Sequence, residues 1–120
     1  MVNALGKHII LEVWGVVAAL PFWNMDAASS MFLIAAKEAG ASVITERWHH
    51  FGSGHGYTGV VVLAESHISV HTWPEKGYAA VDVFMCGDAD PLKTVPHILK
   101  FYNSSSHDLR VLERGTPLKF

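Results

Sequence analysis

From Lys7 to Trp14 the chain alternates, with Ile9, Leu11 and Val13 on one side and His8, Ile10, Glu12 and Trp14 on the other. Period two is the signature of a β-strand, whose successive side chains leave on opposite faces, and here one face is wholly apolar. Such a strand has to join a sheet with a covered side. Further strand-like segments run from Ala41 to Phe51, Val60 to Trp73 and Ala79 to Cys86, and a weaker alternation spans His107 to Glu113. The loop Gly52-Ser53-Gly54-His55-Gly56 calls for permissive backbone, Pro74 ends a strand, and Lys76-Gly77 turns the chain. Two helices complete the set. The first is capped by Asn24 or Asp26, carries Met31, Phe32, Ile34, Ala35 and Ala36 inward, and ends at Gly40. The second opens at Asp90-Pro91, runs through Leu99 to about Tyr102, and is broken by Asn103 to Ser106. Strands joined by short turns pair antiparallel, so the expected fold is α+β: a two-layer sandwich, a mainly antiparallel sheet with two helices on one face. The other face needs its own cover, which points to sheets packing in a dimer.

With 120 residues there is room for one domain. Half of the residues are hydrophobic and only 17% are charged, which again suggests surface buried beyond one chain's core. A net charge of -2 without a Lys/Arg cluster leaves no footprint for nucleic acid or an anionic membrane face. The most apolar stretch, Val13 to Trp23, holds Gly15 and Pro21 and falls short of the ~18 residues of a membrane span. A signal peptide is disfavoured because His8 and Glu12 interrupt the apolar region after Lys7. The single cysteine, Cys86, excludes an intrachain disulfide and suits a reducing compartment, so a cytoplasmic location is expected.

Reactive side chains are densest in Glu65-Ser66-His67-Ile68-Ser69-Val70-His71-Thr72-Trp73-Pro74-Glu75. A core strand rarely carries so many polar groups, each costing about 1–3 kcal/mol if buried without a partner. Either this is an edge strand with a wet polar face or it is a site. The Glu-Ser-His and His-Thr-Trp-Pro-Glu pair decides between them, because at this spacing it resembles the pyruvoyl-dependent S-adenosylmethionine decarboxylases of bacteria and archaea. The likeness extends over Leu5-Gly6-Lys7-His8 with Glu12, Ala35 to Ala41, Gly59 to Val62, Gly77-Tyr78-Ala79-Ala80 and Cys86-Gly87.

The resemblance implies a proenzyme that cuts itself between Glu65 and Ser66 into 1–65 and 66–120, with Ser66 becoming an N-terminal pyruvoyl group. The Ser66 hydroxyl would attack the Glu65 carbonyl, a base would remove the Ser66 α-proton, and elimination would break the chain. The pyruvoyl ketone then forms a Schiff base with the amine of S-adenosylmethionine and accepts electrons as carbon dioxide leaves. By the same analogy His71 is the base, a residue type that titrates near working pH. Cys86 matches the thiol that returns a proton to the α-carbon and assists processing. Thr58 stands where a serine hydroxyl usually steadies the acyl-shift intermediate, and its added methyl implies slower processing. Phe51 matches the aromatic that stacks on adenine, Glu75 the carboxylate that grips the ribose, and Trp73 and Glu12 are further candidates for the pocket. The implied pathway is polyamine synthesis, the product being the aminopropyl donor for spermidine.

Parity adds a point of its own. Ser66 and His71 stand five positions apart on one strand and face opposite sides, so the base for Ser66 is expected from a partner chain. The longer eukaryotic relatives resemble two such units fused. A homodimer with shared sites follows, taking Ser66, Cys86 and Glu12 from one chain and Thr58, His71, Phe51 and Glu75 from the other. Three other readings stay open: the same chemistry on ornithine or arginine, favoured by the departure at Val16 to Trp23; a non-catalytic nucleoside binder; and a metal-binding protein. The last is weak, since His49, His50, His55, His67 and His71 match no tight ligand spacing and no metal is expected.

Overall fold

Six strands, β1 (Gly6–Trp14), β2 (Val43–His50), β3 (Tyr57–Leu63), β4 (Ser66–Trp73), β5 (Tyr78–Cys86) and β6 (Ser106–Arg114), form one sheet in the order β2-β3-β4-β5-β1-β6. The computed structural model describes residues 4–17 and 24–116, so the Ala18 to Trp23 part of the departing segment lies outside the described residues. Every paired neighbour is antiparallel, as the short turns require. The helices α1 (Met25–Glu38) and α2 (Val95–Tyr102) cover one face. There Ile9, Leu11, Val61, Ile68, Val70, Val81 and Val83 meet Phe32, Ala36 and Ile98 in a single buried core. The opposite face carries His8, Ile10, Glu12 and Trp14 of β1 beside Tyr78, Ala80, Asp82 and Phe84 of β5, and among the described residues no helix covers it. Exposed Trp14, Val60, Val62, Trp73 and Leu112 make much of that outer face apolar.

Local signals explain the element ends. The Asn24 side chain accepts from Ala27 N at 2.9 Å, which settles the choice of cap for α1. Ile34 is not inward but 55% exposed, because the buried stripe runs through Ala28, Phe32, Ala35 and Ala36 and Ile34 falls on its far side. The second helical segment begins as a 3-10 turn at Pro91–Thr94, capped by Asp90, and only then becomes α2, with Pro96 in its first turn where no N–H is needed. Val60 to Trp73 is not one strand. It breaks at Ala64-Glu65 into β3 and β4, a hairpin hidden in the sequence because Val60 and Val62 make the outer side of β3 as apolar as the inner. Among the described residues no helix is long and apolar enough to cross a membrane.

Candidate active site

The hairpin tip between β3 and β4 is tied down on every side. Ala64 N donates to Ser42 O at 2.8 Å, and the Glu65 carboxylate accepts from Ser42 N at 2.8 Å. The Glu65 carbonyl oxygen receives two donors from the end of β5, the Cys86 backbone N–H at 3.1 Å and the Cys86 thiol at 3.1 Å. Two donors converging on one carbonyl are the arrangement that stabilises an oxyanion when that carbonyl is attacked. The next residue, Ser66, has φ 151°, a region adopted readily only by glycine and costing about 1–3 kcal/mol elsewhere. Strain and polarisation therefore meet at the Glu65–Ser66 peptide.

A second constellation sits at the other end of β4. Thr58 and His71 are register partners, and Thr58 Oγ1 shares a hydrogen bond of 3.1 Å with His71 Nδ1. Beside them a cavity of about 350 Å3 is lined by Phe51, His55, Thr58, His71, Trp73 and Glu75. The glycine-rich loop is what brings Phe51 there. Its ends are joined by Phe51 N to Gly56 O at 3.0 Å, and a Cβ on Gly56 would lie 2.1 Å from Thr72 O, so only glycine lets the loop lie against β4. Trp73 is held in an aromatic stack, with ring centroids 5.2 Å from Tyr78, which in turn stacks on Trp14 at 4.1 Å.

Glu12 lies in the row of the second constellation. Register pairs it with Ala80, Ala80 with His71, and His71 with Thr58. Its carboxylate accepts from the Tyr78 hydroxyl at 2.6 Å, and burial, with that hydrogen bond and charge, pushes the Tyr78 phenol up to about 12. The sequence grouping of Glu12 with Ser66 is thus overturned, because the two lie five rows apart along the sheet. Ser66 pairs with the buried Met85 of the helix-facing side, while His71 is on the outer side. At about 3.3 Å per residue, some 16 Å of strand separates them.

A model of the family described as S-adenosylmethionine decarboxylase matches residues 7–115. The chain belongs to the S-adenosylmethionine decarboxylase family. Among its relatives, the S-adenosylmethionine decarboxylase proenzyme of Methanococcus maripaludis is 49% identical over 92% of this chain and 90% of its own length. That of Acetivibrio thermocellus is 49% identical over 94% and 90%. The crystal structure of the adenosylmethionine decarboxylase from Aquifex aeolicus superposes with a TM-score of 0.82 at 38% identity, covering 94% of this chain and 92% of that one. The α+β architecture read from alternation is therefore that of the S-adenosylmethionine decarboxylase family.

One cluster of this family member escaped the sequence reading. Asp82 Oδ2 accepts from His8 Nε2 at 2.8 Å and from His67 Nε2 at 3.0 Å, and Asp82 Oδ1 accepts from the Ser69 hydroxyl. Burial alone would raise the Asp82 carboxyl, but the hydrogen bonds from Ser69, His8 and His67 outweigh it and hold the carboxyl below its ordinary value. The three residues are close enough together to hold a metal ion. His67 is the one member of the histidine-rich region that joins them. The available signal was parity: His8 and Asp82 both fall on the outer side of β1 and β5, next to the apolar Ile10, Ala80 and Phe84.

Proposed function

We propose that the protein is a self-processing S-adenosylmethionine decarboxylase whose electrophile is a pyruvoyl group made from Ser66, with active centres shared between two copies of the chain. The residues at the hairpin fit the making of that group. Attack of Ser66 Oγ on the Glu65 carbonyl carbon places negative charge on the oxygen that already faces the Cys86 N–H and thiol at 3.1 Å each. Collapse breaks the Glu65 C–N bond, leaving the Ser66 nitrogen on its α-carbon as a free amine that takes up the proton given up by Oγ. The amide becomes an ester and the φ 151° backbone is relieved. Removal of the Ser66 α-proton then expels the Glu65 carboxylate, ending fragment 1–65, and hydrolysis of the remaining enamine releases ammonia and leaves the ketone at the head of 66–120. The pyruvoyl ketone supplies an acceptor for the electron pair freed as carbon dioxide departs. Cys86, beside the new chain end, holds the proton returned to the α-carbon.

His71 supplies the base, with Thr58 holding its Nδ1 at 3.1 Å. Because His71 and its own Ser66 lie at opposite ends of β4, the His71 that serves Ser66 comes from a second copy. The uncovered apolar outer face, with Trp14, Val60, Val62, Trp73 and Leu112, is the surface that would bury against it. Glu12 enters each centre with Thr58, His71, Phe51 and Glu75. Phe51 to stack on adenine and Glu75 to grip ribose hydroxyls line one cavity, which favours the nucleoside substrate over ornithine or arginine. The product is the aminopropyl donor of spermidine synthesis, and we place that work in the cytoplasm.

The carrying observation is the pair of Cys86 donors on the Glu65 carbonyl next to a strained Ser66. The test is release of labelled carbon dioxide from carboxyl-labelled S-adenosylmethionine, ornithine and arginine, each alone. Release from S-adenosylmethionine is expected. Release only from ornithine or arginine would move the function to that amino acid, and release from none would refute it.

A further inference from the structure

The Asp82 cluster has no part in the chemistry above, yet it is wired to His67, the second residue after the cut. Resting on that reading, we propose that Asp82, acting through His67, is the positioning residue that pins the chain end bearing the pyruvoyl group. Before cleavage, Ser66 keeps φ 151° only if both its neighbours are held. Glu65 is held by Ser42 N at 2.8 Å and by Cys86. On the other side the anchoring side chain is His67, 3.0 Å from Asp82 Oδ2. After cleavage the covalent hold on the Glu65 side is severed, and residue 66 is joined to the chain only through the His67 amide, as the first rung of β4 beside Leu63 and Met85. A new chain end frays unless something fastens it.

The fastening reaches across the sheet. Asp82 lies in the middle of β5, and its carboxylate takes His67 and Ser69 from β4 and His8 from β1. Arg114 of β6 donates from Nη1 to His8 Nδ1 at 3.1 Å, and a guanidinium can only donate. His8 Nδ1 is therefore an acceptor, and Nε2 carries the proton that goes to Asp82. His8 is further clamped on Phe84, with ring centroids 5.1 Å apart, and Arg114 covers the other ring contact at 5.2 Å from Phe84. The chain end is thus tied through one carboxylate to β5 and β1 and, by way of His8, to β6. Three donors already engage both oxygens of the carboxylate, which suits a pin better than an ion site.

The experiment compares wild type, His67→Ala, His67→Gln and Asp82→Ala for the rate of cleavage and for kcat and KM of the cleaved fraction toward S-adenosylmethionine. Glutamine carries an N–H near the position of imidazole Nε2, so it restores the link that alanine removes. Expected are losses of about 10- to 100-fold in cleavage rate and kcat for the two alanine variants, the cost of a misplaced reacting group. KM should hold, since the cavity of Phe51 and Glu75 is untouched, and His67→Gln should recover most of the loss. Wild-type rates in both alanine variants, a loss confined to KM, or glutamine no better than alanine would overturn the pin. So would chelator inactivation of wild type reversed by zinc, which would assign the cluster to an ion. If Asp82→Ala does not fold, the His67 pair decides, its side chain being 39% exposed. A wild type that never cuts refutes the pyruvoyl reading and the pin with it, whereas a cutting wild type with indifferent variants refutes the pin alone.

Discussion

Replacing Cys86 with alanine removes one of two donors from the Glu65 carbonyl and leaves the other, the residue 86 backbone N–H, in place. Loss of a good side-chain donor from an oxyanion hole slows reaction by about 10²–10³-fold. A thiol is a weaker donor than an amide, and the contact here is 3.1 Å, so the expected slowing of cleavage is about 10- to 100-fold, or about 1.4–2.7 kcal/mol of barrier. Cys86→Ser keeps a donor on a shorter arm and should lose less. The assay is cell-free synthesis of labelled protein followed by timed denaturing gels, which catches the uncut chain as it forms. Circular dichroism of the Ser66→Ala and Cys86→Ala/Ser66→Ala pair checks that the fold survives. Cleavage of Cys86→Ala at the wild-type rate, or of Cys86→Ser more slowly than Cys86→Ala, would refute the oxyanion assignment.

Shared centres predict that co-expressed Ser66→Ala and His71→Ala chains, each inactive alone, regain part of the decarboxylase activity in isolated heterodimers, and no recovery there would exclude them. Glu75→Gln should raise KM for S-adenosylmethionine about 10- to 100-fold, from the loss of a charge-assisted hydrogen bond of about 1.5–3 kcal/mol, with little change in cleavage. Phe32, with no exposed surface, should cost about 3–5 kcal/mol of stability on truncation to alanine, read by denaturant titration of the uncut Ser66→Ala background. Asp82 titrates below its unfolded value of about 3.9, so its contribution is complete above that pH and fades as pH falls through the folded value. Acid titration of Asp82→Asn should accordingly show a flatter stability loss below about pH 4 than wild type, and parallel curves would contradict the network.

Much of this was legible in the sequence because alternation, caps and turn residues each act locally. The first strand, the Asn24 cap, the Asp90-Pro91 opening and the Gly77 turn depend on residues within a few positions of one another. The β3–β4 hairpin was not legible, since Val60 and Val62 erase the alternation on a face where both stay exposed. Ile34 failed for a related reason: apolar character alone does not say which side of a helix the core occupies. In the candidate site, Phe51, Thr58, His71, Trp73 and Glu75 do come together around one cavity. Glu12 was misgrouped because strand register, which puts it across from Ala80 and thence His71, is a non-local property. The Asp82 hub joins residues separated by 74 and 15 positions, a distance over which no local pattern speaks.

The central claim is that the chain cuts itself at Ser66, and an intact mass spectrum under denaturing conditions tests it directly. Two species are predicted, residues 1–65 with a free carboxyl end and residues 66–120 with pyruvoyl in place of serine. A single uncut chain of 13.2 kDa, stable on prolonged incubation, would contradict the account.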